Sequence, residues 1–368
     1  MVHLAFLDAV DPRIREEIGR LLPAGWRLSC AESNDGLRRE AAASAADAAM
    51  IIGTGVDQSL LNAAPRLRFV QKLGAGVDNV DSDACRAREV GVARLQAGNA
   101  AQVAEHTLML MLAALRRLPY FDRGTRSGNW LRPEGRATQR QLAGKTVGII
   151  GLGAIGREVA RRLAGFDVDV VYYDIVRPGE ALETALSVRF CEFEELLACS
   201  DVVSLHVPLT AQTRDMLDAR RLAMLKPGVT IVNCARGGLI DEAALDLALE
   251  SKRVLAAGLD TFDVEPLYSS PLYRRDEVVV TPHLGGATLE NFVKVFDRGV
   301  RNIELYLAGR PLPEGELVLR DRNASGSMPH SVMIRTSSAS IRSSRHQRGL
   351  ISKACSLSPR ARLASVMR

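Results

Sequence analysis

The sequence predicts an α/β protein made of two doubly wound domains, and three observations carry that prediction. Short apolar runs alternate with polar, helix-compatible stretches over the opening hundred residues, and a second such series begins at Lys145. A chain of 368 residues exceeds the roughly 100 to 200 expected of one domain. A hydrophobic fraction of 47% beside 25% charged residues suits a globular chain with ordinary cores.

In the first series HLAFLD, AAMIIG, LRFVQKLG and GVARL read as strands, with IREEIGRLL between the first two as an amphipathic helix. The stretch AAQVAEHTLMLMLAALRRL after Asn99 reads as one long helix that stops at Pro119. Its apolar residues cover more than one face, which predicts burial between domains or subunits. The second series supplies six strands: KTVGIIG, VDVVYYD, DVVSLHVP, VTIVNCA, VLAAGLD and EVVVTPH. Helical segments between most of them predict a largely parallel sheet with right-handed crossovers. Ligands of such sheets sit outside the carboxyl ends of the strands, so the residues just after each apolar run are the candidates for chemistry.

Composition narrows the classes of partner. The formal charge of +5 comes from the last segment, where residues 321–368 hold nine Lys or Arg and the single acid Asp321. The remainder is slightly acidic, so no nucleic-acid partner is expected. The segment 319–368 is rich in serine and arginine, and from residue 321 it has no aromatic residue. It is read as disordered or loosely attached, with a small packed helix or a basic binding arm as alternatives. The six cysteines form no C-x-x-C pair and have no histidine at metal-ligand spacing, so reduced thiols and no metal site are expected. No run reaches the roughly 18 apolar residues of a membrane span, and MVHLAFLDAV lacks a signal-peptide pattern. No membrane partner and a cytoplasmic location are the default expectations.

Gly151-Leu-Gly153-Ala154-Ile155-Gly156 follows the strand Thr146 to Ile150 and opens the helical Arg157-Glu-Val-Ala-Arg-Arg-Leu. In that setting G-x-G-x-x-G is a dinucleotide-binding fingerprint. Its first glycine allows the tight turn, its second the approach of a pyrophosphate, and its third close packing of helix on strand. Eighteen residues after Gly156 the next strand ends at Asp174, a carboxylate for the ribose hydroxyls, which predicts NAD rather than NADP. Arg177 is read as a solvated loop arginine, the alternative being that it softens this preference.

Reducing a 2-keto acid needs a cation for the carboxylate, a proton donor for the keto oxygen, and a partner for that donor. Arg236, Glu265 and His283 follow three successive strands of the second series and provide these types. Of six histidines, His3 and His106 look structural, His330 and His346 fall in the tail, and His206 ends a strand where it could line the cofactor site. His283 is the remaining acid.

These residues lie within motifs that run in order along the chain: Lys72-Leu-Gly-Ala-Gly-Val-Asp78, Gly98-Asn-Ala-Ala-Gln-Val-Ala-Glu105, the Gly151 fingerprint, and His206-Val-Pro-Leu-Thr210. Asn233-Cys-Ala-Arg-Gly-Gly-Leu-Ile-Asp241, Gly258-Leu-Asp260 with Glu265-Pro266, and Pro282-His-Leu-Gly285 complete the set. With them the sequence resembles the D-isomer-specific 2-hydroxyacid dehydrogenases over nearly all of residues 1 to 318. The resemblance implies an NAD-dependent enzyme moving a hydride to or from C2 of a small 2-hydroxy or 2-keto acid of the glyoxylate, hydroxypyruvate or 3-phosphoglycerate class.

It further implies that Arg236 binds the carboxylate, that His283 protonates the keto oxygen, and that Glu265 favours the charged form of His283. Gly74, Ala75 and Gly76 would form an anion nest for the carboxylate, with Asn99 as a further substrate contact. Asp260 would hold the nicotinamide carboxamide, Cys234 and Ala235 would lie near the ring, and Pro208 and Thr213 near the adenine and phosphate end. Arg68 and Lys72 are read as exposed basic residues close to the carboxylate loop, the alternative being that they meet the phosphate of a phosphorylated substrate. The resemblance also implies a Rossmann domain (99–286) inserted into a flavodoxin-like substrate domain (1–98 and 287–318), and a homodimer. An NAD(H)-sensing binding protein resembling the C-terminal-binding-protein corepressors is the alternative function.

Overall fold

The computed structural model describes residues 1–96, 98–266 and 268–320. The tail expectation therefore lies, from residue 321 on, outside the described residues. The first half supplies β1 (His3–Phe6), β2 (Arg27–Cys30), β3 (Ala48–Ile51), β4 (Phe69–Lys72) and β5 (Gly91–Ala93). The second supplies β6 (Thr146–Ile150), β7 (Asp169–Tyr173), β8 (Val188–Phe190), β9 (Val202–Leu205), β10 (Val229–Asn233), β11 (Val254–Leu259) and β12 (Val278–Val280), and β13 (Leu317–Leu319) comes last.

These strands make two sheets. One has the order β13-β5-β4-β3-β1-β2 and is parallel except where β13 runs antiparallel to β5. Without β13, its order is that of flavodoxin-like sheets. The other, β12-β11-β10-β9-β6-β7-β8, is parallel throughout. Counted from β6, its first six strands follow the 3-2-1-4-5-6 order of dinucleotide-binding sheets, with β12 added as a seventh. The predicted α/β class with two doubly wound sheets is therefore what the chain forms.

Inner strands such as β3, AAMI, and β10, VTIVN, are buried along their whole length, as parallel strands covered on both faces must be. The sequence reading missed three strands, each at a sheet edge: β2 (RLSC), β8 (VRF) and β13. An edge strand has one neighbour and more solvent, so a run such as RLSC need not be apolar. The second sheet accordingly has seven strands, not six.

The long helix also departs from expectation. It spans Ala100–Arg116 and ends because Arg117 takes a left-handed conformation, φ 49°. Pro119 does not stop it but sits in the first turn of a second helix, Leu118–Arg126, where a missing N–H costs nothing. The burial foreseen for Ala100–Arg116 holds, with Ala104, Leu110 and Met111 wholly enclosed. Its Leu110 leaves so little room over Gly258 of β11 that a Cβ there would lie 3.0 Å from the leucine Cβ. Helix Leu289–Leu307 returns to the first sheet, where Gly299 packs on Leu73 and Met50.

Candidate active site

The glycine fingerprint occupies the point where the order of the second sheet reverses, between β6 and β9. Gly151 has φ +95°, and a Cβ on it would lie 2.6 Å from the His206 carbonyl oxygen just beyond β9. Gly156 abuts the Gly151 carbonyl, so any side chain there would lever the helix Ala154–Leu163 off its strand. Gly153 caps that helix with open space where a Cβ would be, and among the described residues no side chain caps its first amides. Ala154 and Ile155 form the first turn.

Asp174, directly after β7, accepts the Leu152 amide on Oδ2 at 2.7 Å and the Val176 amide on Oδ1 at 3.2 Å. It thus ties the end of β7 to the glycine loop. Arg177 keeps the solvent exposure expected of a loop arginine, but its guanidinium is also paired with Glu183 through two hydrogen bonds of 2.6 and 2.8 Å. On the other flank, the Thr213 hydroxyl donates to the Pro208 carbonyl at 2.6 Å and folds that loop on itself. His206 bonds Ser204 Oγ through Nε2 at 2.8 Å, while its buried Nδ1 has no partner among the described residues. Burial drives this imidazole down to about 3, so it is neutral.

This loop, its open helix end and the carboxylate at the end of β7 fit a dinucleotide. Cys234 and Ala235 are buried after β10, and burial pushes the Cys234 thiol up to about 12, so it is no thiolate at neutral pH.

Three turns of the same sheet bring the charged groups forward. After β10, the Asn233 side chain accepts the Ala235 amide (3.0 Å) and donates to the Arg236 carbonyl (2.7 Å). Gly237, with its Cα against the Phe262–Asp263 backbone, allows the β10 and β11 loops to touch. Glu265 stands on the second of these loops, its Oε1 fixed by the Phe262 amide at 2.9 Å. Its Oε2 meets His283 Nδ1 at 2.7 Å, and both side chains keep a face to solvent, 35% and 47% exposed. Burial pushes the Glu265 carboxyl up, but the His283 bond and charge, the Phe262 amide and Arg236 outweigh it and hold it below its usual range. It is therefore an anion beside the imidazole. His283 itself has φ 55°, a left-handed backbone enforced by bonds from its amide to the carbonyls of Asp260 (2.8 Å) and Thr281 (3.0 Å).

Asp260 lies beneath this turn, only 1% exposed. Its carboxylate accepts the Thr281 hydroxyl (2.6 Å) and the amides of Leu284 (2.7 Å) and Gly285 (2.8 Å), with His106 Nε2 at 3.2 Å. These bonds hold its pKa down despite burial. Much of its accepting capacity is thus spent on shaping the His283 turn. His106, read as merely structural, is the helix-borne partner of that carboxylate and also bonds Thr281 Oγ1 at 2.9 Å.

From the first sheet comes the loop after β4. Neither Gly74, Ala75 nor Gly76 has a positive φ, so the alternating left- and right-handed geometry of an anion nest is absent, contrary to expectation. What Gly76 supplies is room: a Cβ there would strike the Arg236 guanidinium. That guanidinium also reaches Asp78 Oδ1 at 3.4 Å. Asn99 approaches Gly286, within 2.8 Å of where a Cβ would stand.

Lys72 is buried rather than exposed, donating to the Ile52 carbonyl and to Asn79 Oδ1. Burial lowers its ammonium to about 8, against the opposing pull of Asp8, Asp78 and Glu265. Arg68 is exposed, as read. Sequence reasoning gave Asp78 no role although it ends the motif that begins at Lys72, and it read His106, which directly follows the motif ending at Glu105, as structural only.

Fold and site together define a dinucleotide-binding α/β protein with an acid–base pair and a cation at its strand ends. The sequence model of the D-isomer specific 2-hydroxyacid dehydrogenase NAD binding domain matches residues 108–285. The chain is 38% identical to a Pyrococcus furiosus glyoxylate reductase over 70% of its own length and 78% of that protein. It is 44% identical to a Mycobacterium tuberculosis D-3-phosphoglycerate dehydrogenase, over 74% of this chain and 52% of the relative. The chain thus spans about half the length of the phosphoglycerate dehydrogenases it matches. Among solved structures, an NAD-dependent formate dehydrogenase from Staphylococcus aureus in complex with NAD superimposes with TM-score 0.77 at 27% identity, over 87% of this chain and all of that one. The chain belongs to the D-isomer specific 2-hydroxyacid dehydrogenase family.

Proposed function

We propose that the protein is an NAD-dependent dehydrogenase acting between a small 2-hydroxy acid and its 2-keto acid, and that Arg236, Glu265 and His283 carry the chemistry. The observation that carries this reading is the His283–Glu265 pair at 2.7 Å, with an arginine able to reach across from β10. When bound, the cofactor supplies or accepts a hydride at its nicotinamide. Gly151, Gly153, Ala154, Ile155 and Gly156 would hold its phosphates, with Asp174 at the ribose. His206, Pro208, Thr213, Cys234 and Ala235 would line the rest, and Asp260 would face the carboxamide while fixing the His283 turn.

Arg236 gives up its long contact with Asp78 to take the substrate carboxylate and polarise the keto oxygen. His283, with Nδ1 committed to Glu265, presents Nε2 as the proton donor in reduction and acceptor in oxidation. The anionic Glu265 stabilises the imidazolium and fixes its orientation. Gly74, Ala75, Gly76 and Asn99 bound the space for the acid.

The sheet memberships support a functional division into residues 1–98 with 287–318, which carry the acid-facing loop, and residues 99–286, which carry the cofactor. A homodimer is part of the same proposal: Met109, Leu118 and Trp130, 47%, 57% and 76% exposed, lie on or just after successive helices beginning at Ala100. Sedimentation giving a monomer at micromolar concentration overturns that part alone.

The activity is tested by initial rates of NADH oxidation with glyoxylate, hydroxypyruvate, 3-phosphohydroxypyruvate, pyruvate and branched keto acids. Turnover of at least one, and its loss in folded His283→Ala, is the expected result. A His283→Ala chain that retains full rate overturns the assignment.

A further inference from the structure

Resting on the dinucleotide reading above, we propose that Glu183 is a specificity-determining residue. It holds Arg177 in a pair that denies a 2'-phosphate its cation and so keeps the site selective for the unphosphorylated dinucleotide. In dinucleotide sheets, an arginine close after the ribose-binding carboxylate is the group that can accept a 2'-phosphate. Arg177, three residues beyond Asp174, stands in that position. By sequence alone, relaxing the preference that Asp174 sets is the alternative to its reading as a solvated loop arginine.

The structure commits it elsewhere. Arg177 Nε donates to Glu183 Oε1 at 2.6 Å and its NH2 group donates to Oε2 at 2.8 Å, a two-point pair. The hydroxyl of the fully buried Tyr172 on β7 donates to the same Oε1 at 2.6 Å. The guanidinium also lies 5.4 Å from the ring centre of Phe190 on β8. Arg177 and Tyr172 together hold the Glu183 carboxyl down to about 2.

The Glu183 side chain is 11% exposed, whereas that of Arg177 is 51% exposed. Drawing Arg177 away to a phosphate would therefore leave a largely enclosed carboxylate with only a tyrosine, an uncompensated anion in poor contact with water. The cost of recruiting Arg177 thus lies in its partner. Tyr172 strengthens the arrangement by fixing Glu183 from the strand that ends in Asp174.

The experiment is titration of the full chain with NADH and with NADPH, followed by nicotinamide fluorescence. In Glu183→Gln, which keeps an acceptor for Tyr172 but loses the charge, NADPH affinity is expected to rise ~10-fold with NADH affinity within about twofold. Adding Arg177→Ala to that variant should abolish the gain. A purely structural role for Glu183 would move both affinities together. Unchanged NADPH affinity in a folded Glu183→Gln chain that binds NADH overturns the inference.

Arg177→Ala alone gives a second reading that does not depend on Glu183→Gln folding. It should leave NADPH affinity within about twofold of wild type. A larger fall means that Arg177 already serves the phosphate, and the inference is wrong. If wild type binds neither nucleotide, the dinucleotide reading itself fails and takes this inference with it.

Discussion

The two sheets meet the site with different materials. The seven-stranded sheet delivers Arg236, Glu265 and His283 at the ends of adjacent strands, each turn pinned by side chain to backbone bonds through Asn233, Glu265 and Asp260. The six-stranded sheet delivers a loop of small residues, a buried lysine and Asp78, which touches the Arg236 guanidinium only at 3.4 Å. One side is built for position and the other for room and charge. Loss of a group from the first should therefore damage rate, and loss from the second should tune binding.

The sharpest way to break that contrast is at His283. Because a positioned acid–base residue contributes about 10² to 10⁴-fold, His283→Ala should lower kcat by that factor with folding intact. Arg236→Lys should come next, losing planar two-point recognition while keeping the charge; a fall in kcat/KM of roughly 100-fold is expected, measured with the preferred keto acid.

The other sheet should respond more mildly. Lys72 titrates near 8 in the folded chain, so the KM for the keto acid should climb as pH rises through about 8 and a cation is lost from the acid-facing side. In Lys72→Arg that rise should vanish; a KM profile identical to wild type would separate Lys72 from binding. Stability carries the opposite sign. Because folding depresses this lysine from 10.5 to about 8, the folded state is penalised below pH 8 and regains stability as pH rises toward 10.5, relative to Lys72→Met. Urea midpoints across that window check it.

The smallest effect belongs to Asp78→Asn. Its contact with Arg236 is long and half exposed, worth about 0.2–1 kcal/mol, so freeing the arginine should lower KM about 1.5- to 5-fold with kcat nearly unchanged. A collapse of kcat instead would make Asp78 part of the acid–base apparatus and erase the distinction between the two sheets.

Both doubly wound sheets were legible because inner parallel strands must be apolar on both faces, and runs such as AAMI and VTIVN announce this directly. The edge strands β2, β8 and β13 were not, since RLSC and VRF carry no such run and β13 finds β5 only through a return of the chain. The residues of the acid–base pair could be named because each follows an apolar run. Their pairing came only from the family resemblance, because its geometry depends on how the Asp260 carboxylate gathers amides from residues 284 and 285. Lys72 was misread and the pairing of Arg177 was missed for a related reason: burial and ion pairing depend on partners such as Ile52 and Glu183, which helical or strand spacing does not connect to them.

The left-handed backbone of His283 places chemistry and conformational ease in opposition at one residue. A side chain at φ 55° costs about 1–2 kcal/mol that glycine does not incur. His283→Gly should accordingly be as inert as His283→Ala yet melt at a higher temperature. A turn shaped for stability alone would carry glycine at this position, so the histidine marks a place where something other than stability sets the residue.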